Sequence, residues 1–181
     1  MPQKPRMILL VGPSGTGKGT ARAFLQSADD YVIASADDVL LRLAAQNGLS
    51  YQAAYAEHAP QSEAEFSATI RSAISEGKNL IIDRTNLTAG KRAPHIIAGK
   101  KAGYEVIAMV ADFEVDSPEG REILLDRAAT RTDRGAPMPA HVVESQIKAY
   151  EPPQPKEGFD SILVLPRPQA DLTPNSADMG M

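Results

Sequence analysis

The fold of this chain is decided by Met7-Ile8-Leu9-Leu10-Val11-Gly12-Pro13-Ser14-Gly15-Thr16-Gly17-Lys18-Gly19-Thr20. Its uninterrupted apolar run predicts a strand buried on both faces of a parallel sheet, at the sheet's centre. The glycines let the backbone turn tightly and point successive N–H groups inward, and helical spacing begins at Lys18. This context defines a P-loop, the Walker A motif, so we expect residues 12–20 to bind the phosphates of ATP. Lys18 would neutralise the β and γ phosphates.

One position departs from the general motif. Gly19 stands where a Ser or Thr hydroxyl usually ligates Mg²⁺, and Thr20 follows one place later. This variant resembles the loop of adenylate kinases and related nucleotide kinases. We therefore expect Thr20 to contact the α phosphate, and Mg²⁺ to be held by water molecules and a carboxylate.

Composition limits the kind of protein this can be. The 181 residues are 43% apolar, which suffices for one core, and the absence of cysteine excludes disulfides, thiolate zinc sites and a catalytic cysteine. The apolar run at residues 7–11 is too short for a signal peptide or a membrane span. We expect a soluble cytoplasmic protein with no membrane partner and no obligatory protein partner. A net charge of −4 argues against broad electrostatic adhesion to DNA.

Short apolar runs alternate with longer segments of helical spacing, which is the βαβ pattern of an α/β protein. The predicted strands cover residues 7–11, 31–34, 80–82, 106–110 and 162–165. The predicted helices cover residues 18–27, 37–47, 63–76, 88–102, 118–131 and 139–150. We expect one domain over residues 1–165 and a disordered tail over residues 166–181, where apolar side chains are few.

Carboxylates follow two of the predicted strands, at the edge where open α/β sheets bind ligands. Asp37 is our candidate general base for an attacking hydroxyl, and Asp38 beside it would lie near the acceptor. Capping of the following helix is the alternative explanation for both. Asp83 ends the third strand and is our candidate partner of Mg²⁺. Arg84 and Asn86 would contact an acceptor's phosphate or sugar, although a turn-forming Asn explains residue 86 almost as well.

Three arginines indicate a phosphate-facing lid over about residues 127–138. Arg127 and Arg131 share one helix face, and Arg134 follows just beyond the helix end. A guanidinium can stabilise the charge that develops on a transferred phosphoryl group. The alternative is a solvated face in which Asp126 and Asp133 pair with these arginines.

In its order of motifs the chain resembles the kinase domain of the polynucleotide 5′-hydroxyl kinases, both phage and mammalian. The likeness rests on the P-loop, Ala36-Asp37-Asp38, Ile81-Ile82-Asp83-Arg84-Thr85-Asn86-Leu87, Arg127 with Arg131, and Tyr150-Glu151-Pro152-Pro153 leading to Glu157-Gly158-Phe159. The resemblance implies a three-layer nucleotide-kinase-like fold with five parallel strands and a helical lid, and transfer from ATP to a nucleic-acid hydroxyl. It makes Asp37 the general base, Lys18 a phosphate contact and Arg131 a transition-state contact.

The acceptor stays open among several classes. The simplest is the 5′-OH of DNA or RNA, and a close relative is a hydroxymethyl group on a modified DNA base. A small-molecule kinase for a nucleoside, sugar or antibiotic is favoured by the acidic composition and by Leu40, where the phage enzymes carry an arginine for the acceptor's phosphate. A P-loop module without turnover is a further class, against which Asp37, Asp83 and Arg131 count together.

Overall fold

The computed structural model describes residues 4–111, 113–131 and 137–165, and its centre is a five-stranded parallel sheet. The strands are β1 (Arg6–Val11), β2 (Val32–Ala34), β3 (Leu80–Ile82), β4 (Glu105–Ala111) and β5 (Ser161–Leu165). Their order is β2-β3-β1-β4-β5, and every neighbouring pair is parallel. The five-stranded parallel sheet predicted from the sequence, with β1 at its centre, is confirmed.

Helices cover both faces of this sheet because β1 is apolar and buried at every position after Arg6. Met7, Leu9 and Val11 point into a core shared with the third and fourth helices, whereas Ile8 and Leu10 pack on the first helix. The helices are α1 (Lys18–Ala28), α2 (Ala36–Asn47), α3 (Tyr51–Ser75), α4 (Ala89–Lys101), α5 (Pro118–Ala129) and α6 (Ala140–Lys148). A smaller apolar cluster joins α5 to α6.

Helix α3 begins twelve residues before the predicted start at residue 63. The Ser50 side chain caps it by accepting a hydrogen bond from the backbone N–H of Ala53, and an alanine-rich turn follows. Pro60 lies inside the helix and removes one backbone donor, but the carbonyl that loses its partner belongs to the exposed residue Ala56. The proline is therefore tolerated, and the prediction of a shorter helix was wrong.

A buried ion pair joins α4 to the segment that leads into β5. Arg92 on α4 is fully buried and makes two hydrogen bonds of 2.7 Å to the carboxylate of Glu157, in a short 3₁₀ helix, Pro155–Glu157. It also donates to the backbone carbonyls of Asn86 and Glu151, each at 2.9 Å. The arginine thus ties α4, the loop after β3 and the entry to β5 together.

Two sequence-based expectations fall on residues outside the described ranges. These are the central part of the predicted lid, residues 132–136, and the tail of residues 166–181, so both remain predictions. No described helix combines the length and the apolarity needed to cross a membrane.

Candidate active site

The P-loop follows β1 at the carboxyl edge of the sheet and has a backbone that only glycine adopts easily. Gly12, Gly15 and Gly17 have φ values of 137°, 91° and 99°. A Cβ on Gly12 would lie 2.9 Å from the hydroxyl of Thr16, and one on Gly15 would lie 3.2 Å from Leu124. The glycines are therefore needed both for the turn and for close packing, as the motif predicts.

Lys18 is the first residue of α1 and curls back over the loop. Its Nζ donates to the carbonyls of Gly12 and Pro13 at 2.8 and 2.6 Å. Thr16 is buried, and its hydroxyl donates to the carbonyl of Pro13 at 2.9 Å, so this side chain braces the loop from inside. The ammonium group lies at the mouth of the loop, which suits contact with phosphate oxygens.

A cavity of about 650 Å³ opens over this loop, and we call it the P-loop cavity. It brings together most residues that the sequence singled out: Ser14, Gly15, Gly17, Lys18, Gly19, Thr20, Asp37, Asp38, Asp83, Arg84, Arg127 and Arg131. Three predicted nucleotide-binding residues, Gly12, Pro13 and Thr16, shape the loop without lining the cavity. Arg134 lies outside the described residues, so its predicted acceptor contact remains a prediction.

Arg22 is a charged residue of the P-loop cavity that the sequence analysis missed. It lies one turn after Lys18 on α1, and its guanidinium bonds Asp38 at 2.5 Å and Asp83 at 2.9 Å. The hydrogen bond with Asp38 raises the pKa of Arg22, burial lowers it, and the bond with Asp83 raises it again. Arg22 thus stays protonated and bridges two carboxylates from different elements. Its spacing from Lys18 was the one sequence signal that could have revealed it.

Asp37 lies in the first turn of α2, where Ser35 caps the helix by accepting from the backbone N–H of Asp38. Capping is therefore performed by Ser35, which leaves the Asp37 carboxylate for other contacts. The hydroxyl of Tyr51, at the start of α3, donates to Oδ1 of Asp37 at 2.6 Å. Tyr51 was also missed, because it falls in the part of α3 that the sequence did not predict.

A second cavity, of about 520 Å³, adjoins the first beside α3, and we call it the α3 cavity. Residues of α3 form one wall of it, among them Tyr55, Pro60 and Glu63. Six residues line both cavities: Ser14, Asp37, Asp83, Arg84, Thr85 and Met138. The Asp37 carboxylate therefore lies between a phosphate-binding loop and a second space large enough for a ring-sized group.

Arg127 and Arg131 reach the P-loop cavity from the end of α5. The Nη1 of Arg127 donates to the carbonyl of Gly15 at 2.6 Å, and its guanidinium lies 5.8 Å from the centre of the Phe113 ring. Arg131 follows the helix end and lines the same cavity. Both arginines therefore lie at the cavity that opens over the P-loop.

Arg84 and Asn86, in the loop after β3, were both predicted to contact the acceptor, and the structure gives them different surroundings. Asn86 has a φ of 46° and is only 3% exposed, and its amide donates to the carbonyl of Leu10 at 2.8 Å. This burial leaves Asn86 bracing β1, and the predicted acceptor contact is not supported. Arg84 lines both cavities, but its guanidinium is paired with Glu63 and stacks 4.5 Å above the Phe66 ring.

The chemistry of the site fits a nucleoside triphosphate with Mg²⁺. The P-loop cavity combines inward-turning loop backbone with lysine and arginine side chains, which is what phosphates require. Within the described ranges, no group of three or more His, Cys, Asp or Glu side chains could hold a metal ion alone. Mg²⁺ typically takes one or two protein carboxylates and completes its shell with phosphate oxygens and water, and Asp83 can supply such a carboxylate.

The sheet order and the loop define a P-loop kinase-like domain. The chain belongs to the AAA domain family whose sequence model matches residues 7–153. No curated protein sequence matches it.

Solved structures with this fold come from proteins of different activities. A chain from the PezAT chromosomal toxin–antitoxin system of Streptococcus pneumoniae matches over 91% of this chain and 69% of its own, with 21% identity and a TM-score of 0.64. A gluconokinase from Sinorhizobium meliloti matches over 94% and 88%, with 16% identity and a TM-score of 0.51. A chain of the Pnkp1/Rnl/Hen1 RNA repair complex matches over 82% and 45%, with 22% identity and a TM-score of 0.56. At these identities the likeness establishes the fold.

Proposed function

We propose that the protein is an ATP-dependent kinase that transfers the γ phosphate of ATP to a hydroxyl group of a nucleic acid. The observation that carries this proposal is the position of Asp37, which lines the P-loop cavity and the α3 cavity together. A general base must lie within hydrogen-bond reach of the attacking hydroxyl, and that hydroxyl must lie next to the γ phosphate. A nucleotide sensor without turnover would not need a carboxylate at this boundary.

In the proposed reaction, Asp37 accepts the proton of the acceptor hydroxyl as the acceptor oxygen bonds to the γ phosphorus. The bond from the γ phosphorus to the bridging oxygen of the β phosphate breaks, and ADP leaves with that electron pair. Lys18, Arg127 and Arg131 hold the phosphate oxygens in line and meet the charge that develops on them. Asp83 would hold Mg²⁺, which would supply further neutralisation of the phosphates.

A nucleic-acid acceptor is supported by the full series of motifs that resembles the polynucleotide kinases. One chain of the Pnkp1/Rnl/Hen1 RNA repair complex contains the same fold over 45% of its length, with 22% identity to this chain. Affinity for a polymer acceptor should fall as salt rises, because phosphate contacts release counterions.

A small-molecule kinase is the second candidate, and one observation favours it. Leu40 is 2% exposed and forms an apolar wall of the α3 cavity at the position where the phage enzymes carry a phosphate-binding arginine. A free nucleoside or sugar would not need that cation.

The experiment is to incubate the protein with Mg²⁺ and γ-labelled ATP in the presence of nucleic acids or small molecules. The nucleic acids are 5′-OH DNA, 5′-OH RNA and DNA with hydroxymethyluracil, and the small molecules are nucleosides and sugars. Transfer of label to any nucleic acid, lost in Lys18→Ala, supports the proposal. Label found only on small molecules contradicts the nucleic-acid acceptor and leaves the kinase assignment standing.

A further inference from the structure

Two helices bond neighbouring residues of the P-loop. The backbone N–H of Ser14 donates to Oε1 of Gln146, on α6, at 2.7 Å. The carbonyl of the next residue, Gly15, accepts from Nη1 of Arg127, on α5, at 2.6 Å. These bonds join residues that are 132 and 112 positions apart, so no local pattern in the sequence indicates the contact of Gln146.

Helices α5 and α6 form one support for these contacts. Leu124 of α5 and Val143 of α6 belong to one buried apolar cluster, and both are 0% exposed. An ion pair between Arg121 and Glu144, at 2.5 Å, joins the same two helices. Gln146 therefore projects from a helix that is packed in place beside the loop.

The hydrogen bond with Ser14 fixes the orientation of the Gln146 amide. A backbone N–H can only donate, so the amide oxygen must face it, and the NH2 group lies on the other side of the amide. Val142 lies four residues earlier on the same face of α6, and both side chains line the α3 cavity. The part of the amide that can meet a molecule in this cavity is therefore the NH2 group.

The proposed general base lines the same cavity. Asp37 and Ser14 each line both the α3 cavity and the P-loop cavity, so Gln146 is bonded to the loop at the place where the two cavities meet. An acceptor that enters the α3 cavity thus meets a carboxylate, which accepts hydrogen bonds, and an amide NH2 group, which donates them.

We infer that Gln146 binds the acceptor, with its NH2 group donating a hydrogen bond to the oxygen of the acceptor hydroxyl. This inference rests on the proposed kinase function. A hydroxyl has one donor and two lone pairs. When Gln146 occupies one lone pair, the O–H turns to Asp37 and the second lone pair is left to bond the γ phosphorus.

The transfer keeps the course proposed above, with this one added contact. The acceptor oxygen bonds to the γ phosphorus, its proton passes to Asp37, and ADP leaves with the electrons of the broken bond. Gln146 exchanges no proton, so its contribution is the orientation of the nucleophile.

Two variants separate the NH2 group of Gln146 from its contact with Ser14. Gln146→Glu keeps an oxygen for the N–H of Ser14 but, when ionised, has no donor, whereas Gln146→Met keeps the length of the side chain and has neither group. Gln26→Glu and Gln26→Met are the matched controls, because Gln26 is an exposed residue of α1 that lines neither cavity.

The full-length proteins are incubated with Mg²⁺, γ-labelled ATP and 5′-OH DNA, 5′-OH RNA or a nucleoside. ATP is kept saturating, because the charge of a glutamate beside the P-loop would weaken nucleotide binding. Both Gln146 variants should lose about tenfold in kcat/KM for the acceptor that the wild type labels best, since each lacks the donor. The Gln26 variants should match the wild type.

Calorimetry without acceptor measures the Kd for ATP. Gln146→Met should stay within about twofold of the wild type, because water can replace the amide oxygen at Ser14, which is only partly buried. This measurement distinguishes acceptor binding from support of the loop, which would weaken nucleotide binding when lost.

Three results would overturn the inference. These are wild-type transfer by Gln146→Glu, unaltered transfer by Gln146→Met, and a parallel loss of ATP binding and transfer in Gln146→Met. In each case the proposed function stands, because the wild type transfers label. A wild type that labels no acceptor overturns the proposed function, and the inference with it.

Discussion

The hydroxyl of Tyr51 donates a hydrogen bond of 2.6 Å to Oδ1 of Asp37. This contact joins the first turn of α3 to the first turn of α2 at the boundary between the two cavities. A carboxylate that accepts a charge-assisted hydrogen bond is held in one orientation. Tyr51 is thus a positioning residue for the proposed general base.

Tyr51→Phe removes that hydrogen bond and keeps the ring. We expect kcat to fall by about tenfold, because a hydrogen bond to a charged group contributes on the order of 1.5 kcal/mol. The KM for ATP should not change, since the P-loop is intact. Tyr55→Phe, which removes a hydroxyl from the same helix, is the control. An unchanged kcat in Tyr51→Phe would show that the contact does not position Asp37 for the reaction.

Arg22→Ala tests whether Asp38 and Asp83 can form a cation site. Removal of the guanidinium leaves two carboxylates without the cation that now bridges them, so a divalent cation should bind more tightly there. We expect Mg²⁺ without nucleotide to raise the Tm of the variant by about 2 °C more than that of the wild type. Arg42→Ala, which removes an arginine paired with Glu65 outside both cavities, is the control. Equal responses to Mg²⁺ would rule out such a site.

Gly19→Ser restores the hydroxyl that the general P-loop motif supplies. A Cβ at residue 19 would have no heavy atom within 4 Å, so the side chain has room. We expect the Mg²⁺ concentration for half-maximal turnover to fall by about threefold or more, because a hydroxyl ligand is added. Gly19→Ala adds the same Cβ without the hydroxyl and should leave that concentration unchanged. If both variants respond alike, the effect comes from the helix and not from the metal.

Glu157→Gln tests the buried ion pair between Arg92 and Glu157. Burial raises the pKa of Glu157, but the hydrogen bonds from Arg92 and from the backbone N–H of Gln154 lower it by more, so the net shift is downward. The ion pair therefore stabilises the fold above about pH 4.5 and is lost as the pH falls through the lowered pKa. We expect Glu157→Gln to reduce the free energy of unfolding by about 3 kcal/mol at pH 7, since Arg92 would remain buried without its counter-charge.

Chemical denaturation at several pH values measures this contribution. The difference between wild type and Glu157→Gln should shrink as the pH falls below about 4.5, because protonation then removes the same charge from the wild type. A difference that is constant with pH would mean that the lost stability is not electrostatic.

The sequence predicts the sheet and the P-loop well because both depend on local patterns. The buried strand, the glycines and Lys18 follow one another closely in the sequence. The positive φ values of the loop require glycine at those positions. The start of α3 was mispredicted. The helix continues through Pro60, because the carbonyl that loses its partner there belongs to the exposed residue Ala56.

Contacts between distant residues could not be predicted in this way. Arg22 finds Asp38 and Asp83 across 16 and 61 residues of sequence, and only the folded sheet edge brings the three together. The side chain of Asn86 could stabilise a turn or bind a ligand. In the structure its amide bonds the carbonyl of Leu10 in β1, so it stabilises the turn. The roles of Arg134 and of the tail stay predictions.

The most direct test of the central claim is the Asp37→Asn variant, measured for nucleotide binding and for phosphoryl transfer in parallel. Calorimetry should give an affinity for ATP with Mg²⁺ within about twofold of the wild type, because the P-loop is untouched. Transfer to the preferred acceptor should fall by about a hundredfold or more, because no group at residue 37 can then accept the proton. If binding and transfer fall together, or if transfer persists, Asp37 is not the base and the proposed reaction is wrong.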